Sequence, residues 1–390
     1  MVHPKLDSLL AANPAPRIAN DVPKDWKPNL EFDGTEGVAT LPPGEGVPNF
    51  DDFLIEQGFD PAEFEVVGDP RTSRWQRYDG TWLTSYRFRF RKKWTSLDLP
   101  LLLAEAKKTK PATPKPVNSD KALVVLWSDL QIGKVASRGG TPELIERVFQ
   151  TQQRLIERIK AEKPAKVVFA DMGDVVENFS NAADLAQLQS NDLSLMEQVD
   201  LAATLAWDYL KAICKLVPDV SYVSVGSNHC QFRVNKARVG KPSDDWGIYI
   251  SRTLARLSRE VGLGVKFYEP NDQDESLALD VFGDDFHILG LFHGHQAKRP
   301  DAVPAWLKGQ MFGNQAITRF TVAVSGHFHH LRVQELGCTP RGTSRFWVQA
   351  ATLDNGSDWF RLNSGEDSTP GLVVFALEQG KDFTGTVWKL

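Results

Sequence analysis

From residue 122 onward, short apolar runs alternate with longer segments of helical pattern. The apolar runs have the length of buried strands, and the segments between them space their apolar residues as amphipathic helices do. The predicted order is strand Ala122–Trp127, helix Pro142–Glu162, strand Lys166–Ala170, helix Asp192–Leu216, strand Val220–Val225 and helix Asp244–Glu260. Such alternation predicts βαβ units, in which a largely parallel sheet carries helices on both faces.

After Gly264 the pattern changes to short strands. They are predicted at Ser276–Val281, Phe286–Phe292, Phe320–Ser325, Arg332–Leu336, Arg345–Gln349 and Gly371–Leu377. These strands imply a second, more antiparallel sheet packed against the first. The predicted fold class is therefore α/β, with two stacked mixed β-sheets flanked by helices, preceded by a small N-terminal α+β module.

The first 120 residues differ in character from the rest. Residues 1–45 are rich in Pro, Gly, Asp and Asn without an apolar period, so we expect an extended or disordered segment. Residues 46–100 predict the small basic and aromatic α+β module. Residues 101–120 are rich in Lys and Pro, which is typical of a semi-stiff linker, and residues 121–390 form the predicted main domain.

Basic residues are concentrated between residues 71 and 93, where Asp79 is the only acid. Over residues 85–91, aromatic residues and arginines alternate, as in a strand with one apolar and one cationic face. One interpretation is a half-buried edge strand with solvated arginines. The other is a nucleic-acid-binding module, because cations neutralise phosphates and aromatic rings stack on bases. The residues concerned are Arg71, Arg74, Arg77, Arg87, Arg89, Arg91, Lys92 and Lys93.

Composition narrows the class of protein. With 390 residues, a formal net charge of −5 and a pI near 6.0, the whole chain carries no signal for nucleic acid or membrane. The three cysteines, Cys214, Cys230 and Cys338, are scattered and odd in number, which favours a reducing compartment. The sequence has neither an apolar membrane span nor the apolar run of a secretory signal, so we expect a cytoplasmic protein without membrane association.

Polar residues follow five of the predicted strands at the point where each strand ends. In doubly wound sheets, ligands bind outside the carboxyl ends of the strands. Any one of these residues could be a helix cap or a turn residue, but the five groups together predict one site. The groups are Asp129 and Gln131, then Asp174, Glu177 and Asn178, then Asn228 and His229, then His293 and His295, and finally His327 and His329.

Carboxylates, an amide and several imidazoles at one sheet edge make a set of ligands for a divalent metal ion. Oxygen and imidazole donors suit manganese, iron or zinc, and the absence of cysteine ligands argues against a structural zinc cluster.

The order Asp-x-x, Gly-Asp-x-x-Glu-Asn, Asn-His, His-Gly-His and Gly-His-x-His resembles that of the calcineurin-like metallophosphoesterases over residues 121–380. Within that superfamily the chain is most similar to phage-encoded proteins related to SbcD-type repair nucleases. The resemblance implies two stacked sheets and two divalent ions, most often Mn²⁺, with Asp174 bridging them. It assigns Asp129, Gln131 and His329 to the first ion, and Asn228, His293 and His327 to the second.

The resemblance also implies roles for the residues beside the ligands. His229 would face the substrate and protonate the leaving oxygen, after attack by a metal-activated hydroxide. His295 would contact phosphate or support a ligand, and Glu177 and Asn178 would orient the loop of Asp174.

The chain departs from the family pattern at two positions. Gln131 stands where the family usually has a histidine, so we expect a weak first metal site. Cys230 stands where the asparagine-histidine motif commonly ends in an acid.

Three functions remain open at this point. The first is a metal-dependent phosphodiesterase acting on DNA as an exo- or endonuclease, with the basic module presenting DNA. The second is a phosphatase or small-molecule phosphodiesterase. The third is a degenerate, non-catalytic nucleic-acid-binding protein. Expected partners are DNA, with a homodimer and a partner ATPase compatible with the resemblance.

Overall fold

The computed structural model describes residues 29–32, 36–41, 49–61, 64–66, 70–76, 82–92, 114–179, 191–234, 237–356, 358, 361 and 368–390. The chain divides into two compact units, Met1–Ser96 and Leu97–Leu390. Most of the predicted N-terminal segment and residues 101–113 of the predicted linker lie outside the described residues. No helix in the described parts of the chain is long and apolar enough to cross a membrane.

In its described residues, the first unit is a five-stranded antiparallel sheet with one short helix. Its elements are β1 (Asn29–Phe32), β2 (Glu36–Leu41), α1 (Phe50–Glu56), β3 (Phe64–Val66), β4 (Arg71–Gln76) and β5 (Trp82–Lys92). Along β5, Tyr86, Phe88 and Phe90 are buried while Arg87 and Arg89 are exposed, as the alternation of aromatic residues and arginines predicts.

Two segments of the stretch predicted to be extended or disordered are strands. Strands β1 and β2 pair with each other, and β2 also pairs with β5 from Glu36 opposite Arg91 to Leu41 opposite Tyr86. The apolar fragments there are too short to show a period alone. They form strands because β5 offers them an unpaired edge and Ala39 a place in the core.

The second unit contains the predicted parallel sheet. Its chain begins with β6 (Lys121–Trp127), α2 (Thr141–Glu162), β7 (Lys166–Asp171), α3 (Leu195–Cys214), β8 (Asp219–Ser224), β9 (Arg233–Val234), β10 (Ala237–Arg238), α4 (Trp246–Val261) and β11 (Lys266–Tyr268). Strands β11, β8, β7 and β6 are parallel neighbours in that order.

A second mixed sheet follows. Its elements are β12 (Ser276–Asp280), β13 (Ile288–Phe292), α5 (Val303–Phe312), β14 (Val322–Ser325), β15 (Arg332–Cys338) and β16 (Ser344–Gln349), in the sheet order β12-β13-β14-β16-β15. The chain then returns to the first sheet with β17 (Val373–Glu378) and β18 (Trp388–Lys389).

The second sheet is less antiparallel than the sequence indicates. Its three central strands, β13, β14 and β16, are parallel, and only its outer pairs are antiparallel. The difference arises because α5 forms a crossover between β13 and β14, so that both strands end at the same edge. That edge is where two of the histidine motifs lie.

The two sheets stack face to face. On β6, Ala122, Val124 and Leu126 belong to the core between the sheets, whereas Leu123, Val125 and Trp127 belong to the core under the helices. Helix α5 covers the other face of the second sheet through Val303 and Leu307. Both faces of each sheet are thus buried, which confirms the predicted α/β sandwich and explains why the central strands read as continuous apolar runs.

Trp127 anchors the helix side of the first sheet. It is fully buried and stacks on Phe169 and Tyr209, with ring centroids 5.2 and 5.5 Å away. We expect Trp127→Ala to lower the free energy of unfolding by about 3–5 kcal/mol, because it leaves a large cavity. Chemical denaturation measures this, with the exposed Phe312→Ala as the control expected to change little. A loss below about 1 kcal/mol for Trp127→Ala would contradict the packing described.

Candidate metal centre

The five polar groups predicted from the sequence meet at one edge of the two sheets. They follow the carboxyl ends of β6, β7, β8, β13 and β14. Main-chain hydrogen bonds tie the loops together: the amide of Gln131 donates to Asp174 O over 2.9 Å, and that of Gly326 donates to His293 O over 2.7 Å. The loops that follow these five strands therefore meet, as expected for carboxyl ends of neighbouring strands.

The loops at this edge are held in left-handed backbone conformations. Asp129, Gln131, Asp174, Asn178, His327 and His329 all have positive φ, between 45° and 71°. Such conformations disfavour L-residues with side chains, and they cluster where a site requires them. The loops thus hold these six residues at the site in backbone conformations that cost free energy.

Two glycines make the close approach of the loops possible. A Cβ on Gly173 would lie 2.9 Å from Nδ1 of His293, and one on Gly326 would lie 2.7 Å from Oδ2 of Asp129. Gly173 also has a φ of +95°. A larger residue at either position would push a site side chain away.

Asp174, His293 and His327 form a group of potential metal ligands, with one ligand atom from each lying within 4.8 Å of the others. Asp174 and His293 are buried, and Nε2 of His293 lies 3.0 Å from Oδ2 of Asp174. The same nitrogen lies 3.0 Å from Oδ1 of Asn228. The structure thus brings together the residues that the resemblance assigns to the second ion, with Asp174.

The hydrogen bonding of His293 indicates that a cation fits here. Its Nδ1 lies 2.7 Å from the main-chain oxygen of Met172, so this nitrogen carries a proton and donates it. In the neutral imidazole, Nε2 then has a lone pair that faces two oxygen atoms. Oδ2 of Asp174 is buried and accepts no hydrogen bond from the described residues. A divalent ion among these atoms would satisfy all of them.

The electrostatics agree with this donor set. Burial would raise the pKa of Asp174, but His293 and His229 lower it well below its usual value, so the carboxylate is charged. Burial would lower the pKa of His293, but Asp174 raises it to about 9, so without a metal ion Nε2 carries a proton that a bound cation would displace. Burial and the nearby His293 hold the pKa of His327 well below its usual value, which leaves a neutral imidazole able to bind metal.

The other predicted ligands are arranged differently. Nε2 of His329 lies 3.5 Å from Oδ1 of Asp129, whose carboxylate also accepts from the amide of His327 and the hydroxyl of Ser128. The amide oxygen of Gln131 accepts a 2.6 Å hydrogen bond from Nζ of Lys134. This half of the site therefore already contains a positive charge.

Two residues of this half were missed by the sequence reasoning. Nζ of Lys134 also donates to Oδ2 of Asp354 over 2.6 Å, and Nδ1 of His329 lies 3.6 Å from the same oxygen. Asp354 follows β16, so extending the strand-end rule to that strand would have found it. No sequence pattern indicates that Lys134 belongs to the site. Its role is visible only from its distance to Asp354 in the structure.

His229 lies at the exposed side of the group. Its amide donates to Oδ1 of Asp174 over 2.8 Å, and its Nε2 lies 4.0 Å from Oδ2 of the same residue. Its Nδ1 lies 3.1 Å from the main-chain oxygen and 3.3 Å from the carboxylate of Glu177. Nδ1 is therefore committed to Glu177, and Nε2 is the atom that faces the metal group.

The neighbours of His229 have opposite effects on its protonation. Burial would lower its pKa, but the carboxylates of Asp174 and Glu177 raise it to about 10. Nε2 of Gln131 lies 3.3 Å from Nε2 of His229. Because Lys134 holds the oxygen of Gln131, its amide nitrogen points to His229 and donates only to a neutral imidazole. A cation on Asp174 would weaken the effect of that carboxylate and bring the pKa down.

The predicted supporting residues contact His229 and its loop. Nδ2 of Asn178 donates to the main-chain oxygen of His229 over 2.8 Å, and Glu177 lies against the ring. His295 lies beside His293, with ring centroids 5.4 Å apart, and its Nε2 lies 3.3 Å from Oε2 of Glu275. Glu275, which the sequence reasoning also missed, thus positions His295 at the border of the site.

The basic residues of the first unit are described only in part. Arg71, Arg74, Arg87 and Arg89 are exposed, and Arg71 lies directly opposite Arg87 in the sheet. The guanidinium of Arg74 lies over the ring of Trp82 at 5.0 Å. Arg91 and Lys92 belong to β5, whereas Arg77 and Lys93 lie outside the described residues.

No family model matches the chain, and no curated protein matches it. Among solved structures, the chain is similar to that of PhoD, with 8% sequence identity and a TM-score of 0.31. The similarity covers 69% of this chain and 65% of the PhoD chain, which is less than two thirds of the latter. A TM-score this low shows neither a shared fold nor a shared function, so the function is inferred from the residues of the site.

Proposed function

We propose that the protein is a metal-dependent phosphoester hydrolase with its centre at Asp174, Asn228, His293 and His327. The observation that carries the proposal is that Nε2 of His293 faces two oxygens at 3.0 Å while Nδ1 is committed to Met172. Carboxylate, amide and imidazole donors suit manganese, iron or zinc, and the motif order of the calcineurin-like metallophosphoesterases favours manganese.

A divalent ion bound there would polarise a phosphoryl oxygen and lower the pKa of an attacking water. The chain's own residues have separate tasks. Asp174 supplies the negative charge that holds the ion. The hydrogen bond from His293 to Met172 fixes the ring in its ligand tautomer. His229, held by Glu177 on one side, presents Nε2 where it can protonate a departing oxygen.

Within this class we propose phosphodiester bonds of DNA as the substrate. The resemblance to SbcD-type nucleases favours it, and so does the exposed arginine cluster of β4 and β5. Arg71 and Arg87 face each other as like charges, which destabilises a sheet unless an anion lies between them. The predicted homodimer and partner ATPase stay predictions.

The arginine cluster is tested by the salt dependence of DNA binding. We expect Arg71→Ala/Arg87→Ala to weaken binding of single- and double-stranded DNA and to reduce the slope of log K against log salt by about 1–2, because each arginine neutralises about one phosphate. Fluorescence anisotropy over a salt series measures this. The exposed Arg154→Ala on α2 is the matched control and should leave the slope unchanged. An unchanged slope in the double variant would exclude the cluster as a DNA contact.

The reaction class is tested with metal-free protein to which Mn²⁺ is added back. Bis-p-nitrophenyl phosphate, p-nitrophenyl phosphate and end-labelled DNA serve as substrates. The proposal expects turnover of the two diesters that depends on the metal. Turnover of the monoester alone would replace the nuclease with a phosphatase, and no turnover with metal bound would favour the degenerate binding protein.

A further inference from the structure

A two-metal centre would give Lys134 no role. Its ammonium donates to Oε1 of Gln131 and Oδ2 of Asp354, each over 2.6 Å. The side chain of Lys134 is 14% exposed and that of Asp354 is 2% exposed. Lys134 therefore forms a buried ion pair with Asp354.

The ammonium takes an oxygen that a first metal ion would need. Gln131 can offer a metal only its amide oxygen, since the amide nitrogen is a donor. A metal ion binds such an oxygen at about 2.2 Å, so it would lie within about 5 Å of Nζ, which is itself 2.6 Å from that oxygen. Repulsion between the two cations at this separation in a buried site would weaken binding on the order of a hundredfold or more.

The carboxylates of this half are also engaged. Both oxygens of Asp129 accept from the amide of His327, and Oδ1 of Asp354 accepts from the amide of Gly356 over 2.7 Å. By contrast, Oδ2 of Asp174 has Nε2 of His293 beside it at 3.0 Å, an atom that can exchange its proton for a metal ion. The two halves of the centre therefore differ in kind: one holds an ammonium group, which has no lone pair to offer a metal, and the other holds imidazoles that can bind one.

We propose that Lys134 takes the place of the first metal ion, so that the protein binds one divalent ion per chain. This inference rests on the proposed function, since it assigns the charges of the same centre. It also explains Gln131: a neutral amide oxygen accepts from the ammonium, and the amide nitrogen then reaches His229.

The test is the number of ions bound. Wild-type protein stripped of metal is dialysed against Mn²⁺, and its metal content is measured by mass spectrometry together with the electron paramagnetic resonance spectrum. We expect one ion per chain and the six-line spectrum of an isolated Mn²⁺. Two ions per chain with a spin-coupled spectrum would overturn this inference alone. No bound ion would overturn the proposed function as well.

A double variant should convert the one-metal centre into a two-metal centre. We expect Lys134→Met/Gln131→His to bind a second ion and to show the spin-coupled spectrum, because it removes the ammonium and supplies an imidazole. The exposed Lys160→Met on α2 is the control and should bind one ion. A folded double variant, checked by circular dichroism, that binds only one ion would count against the proposal. If that variant does not fold, the wild-type spectrum decides.

Discussion

Asp174→Asn is expected to abolish binding of Mn²⁺ and to lower kcat for phosphodiester hydrolysis on the order of a thousandfold or more. A bound metal contributes several kcal/mol to the transition state, and each 1.4 kcal/mol is about tenfold in rate. The amide oxygen of the new side chain can still accept from His229 N, as Oδ1 does now. Its NH₂ group would donate to Nε2 of His293. We therefore expect the variant to fold, with this hydrogen bond in the place of the metal ion.

Metal content and kcat are measured together for this variant. Asp301→Asn, at a side chain that is 67% exposed, removes the same charge outside the site and should change neither quantity. Retention of the ion together with near wild-type kcat in Asp174→Asn would show that the metal group lies elsewhere.

His229→Gln is expected to lower kcat on DNA by about 10²–10⁴-fold while the metal content stays the same. The reason is positional: His229 contacts Asp174 and Glu177 but is not among the proposed ligands, so its loss removes a proton donor and not the ion. The loss should be smaller on bis-p-nitrophenyl phosphate, because p-nitrophenolate departs without needing a proton. His330→Gln is the matched control, because this ring is not among the proposed ligands and its Nδ1 lies 2.8 Å from the main-chain oxygen of Phe328.

The comparison between the two leaving groups separates a proton donor from a merely structural residue. A structural defect would lower turnover of both substrates equally and would reduce metal content. Equal losses on the two substrates would therefore remove the acid role from His229, even if kcat falls.

The sequence predicts well which loops meet, because the physical rule involved is simple. Carboxyl ends of parallel strands meet at one edge, and the residues after Trp127, Asp171 and Phe292 meet there as expected. The alternation on β5 likewise predicts which side chains are buried. In both cases the information is local and periodic.

What the sequence does not predict depends on contacts between distant segments. The ion pair of Lys134 and Asp354 joins residues 220 positions apart, and no pattern marks it. The left-handed conformations of Gln131 and His329 arise because neighbouring loops hold them. Strand β2 forms against β5, and β1 then pairs with β2. Each of these is set by the tertiary structure alone.

The most direct test of the metal centre is crystallographic. Crystals grown with Mn²⁺ are measured at the manganese absorption edge, and the anomalous difference map shows where the metal lies. The account predicts one strong peak in contact with Oδ2 of Asp174, Oδ1 of Asn228, Nε2 of His293 and the ring of His327. A map without a peak among these four residues, from protein that hydrolyses diesters with Mn²⁺, would contradict it.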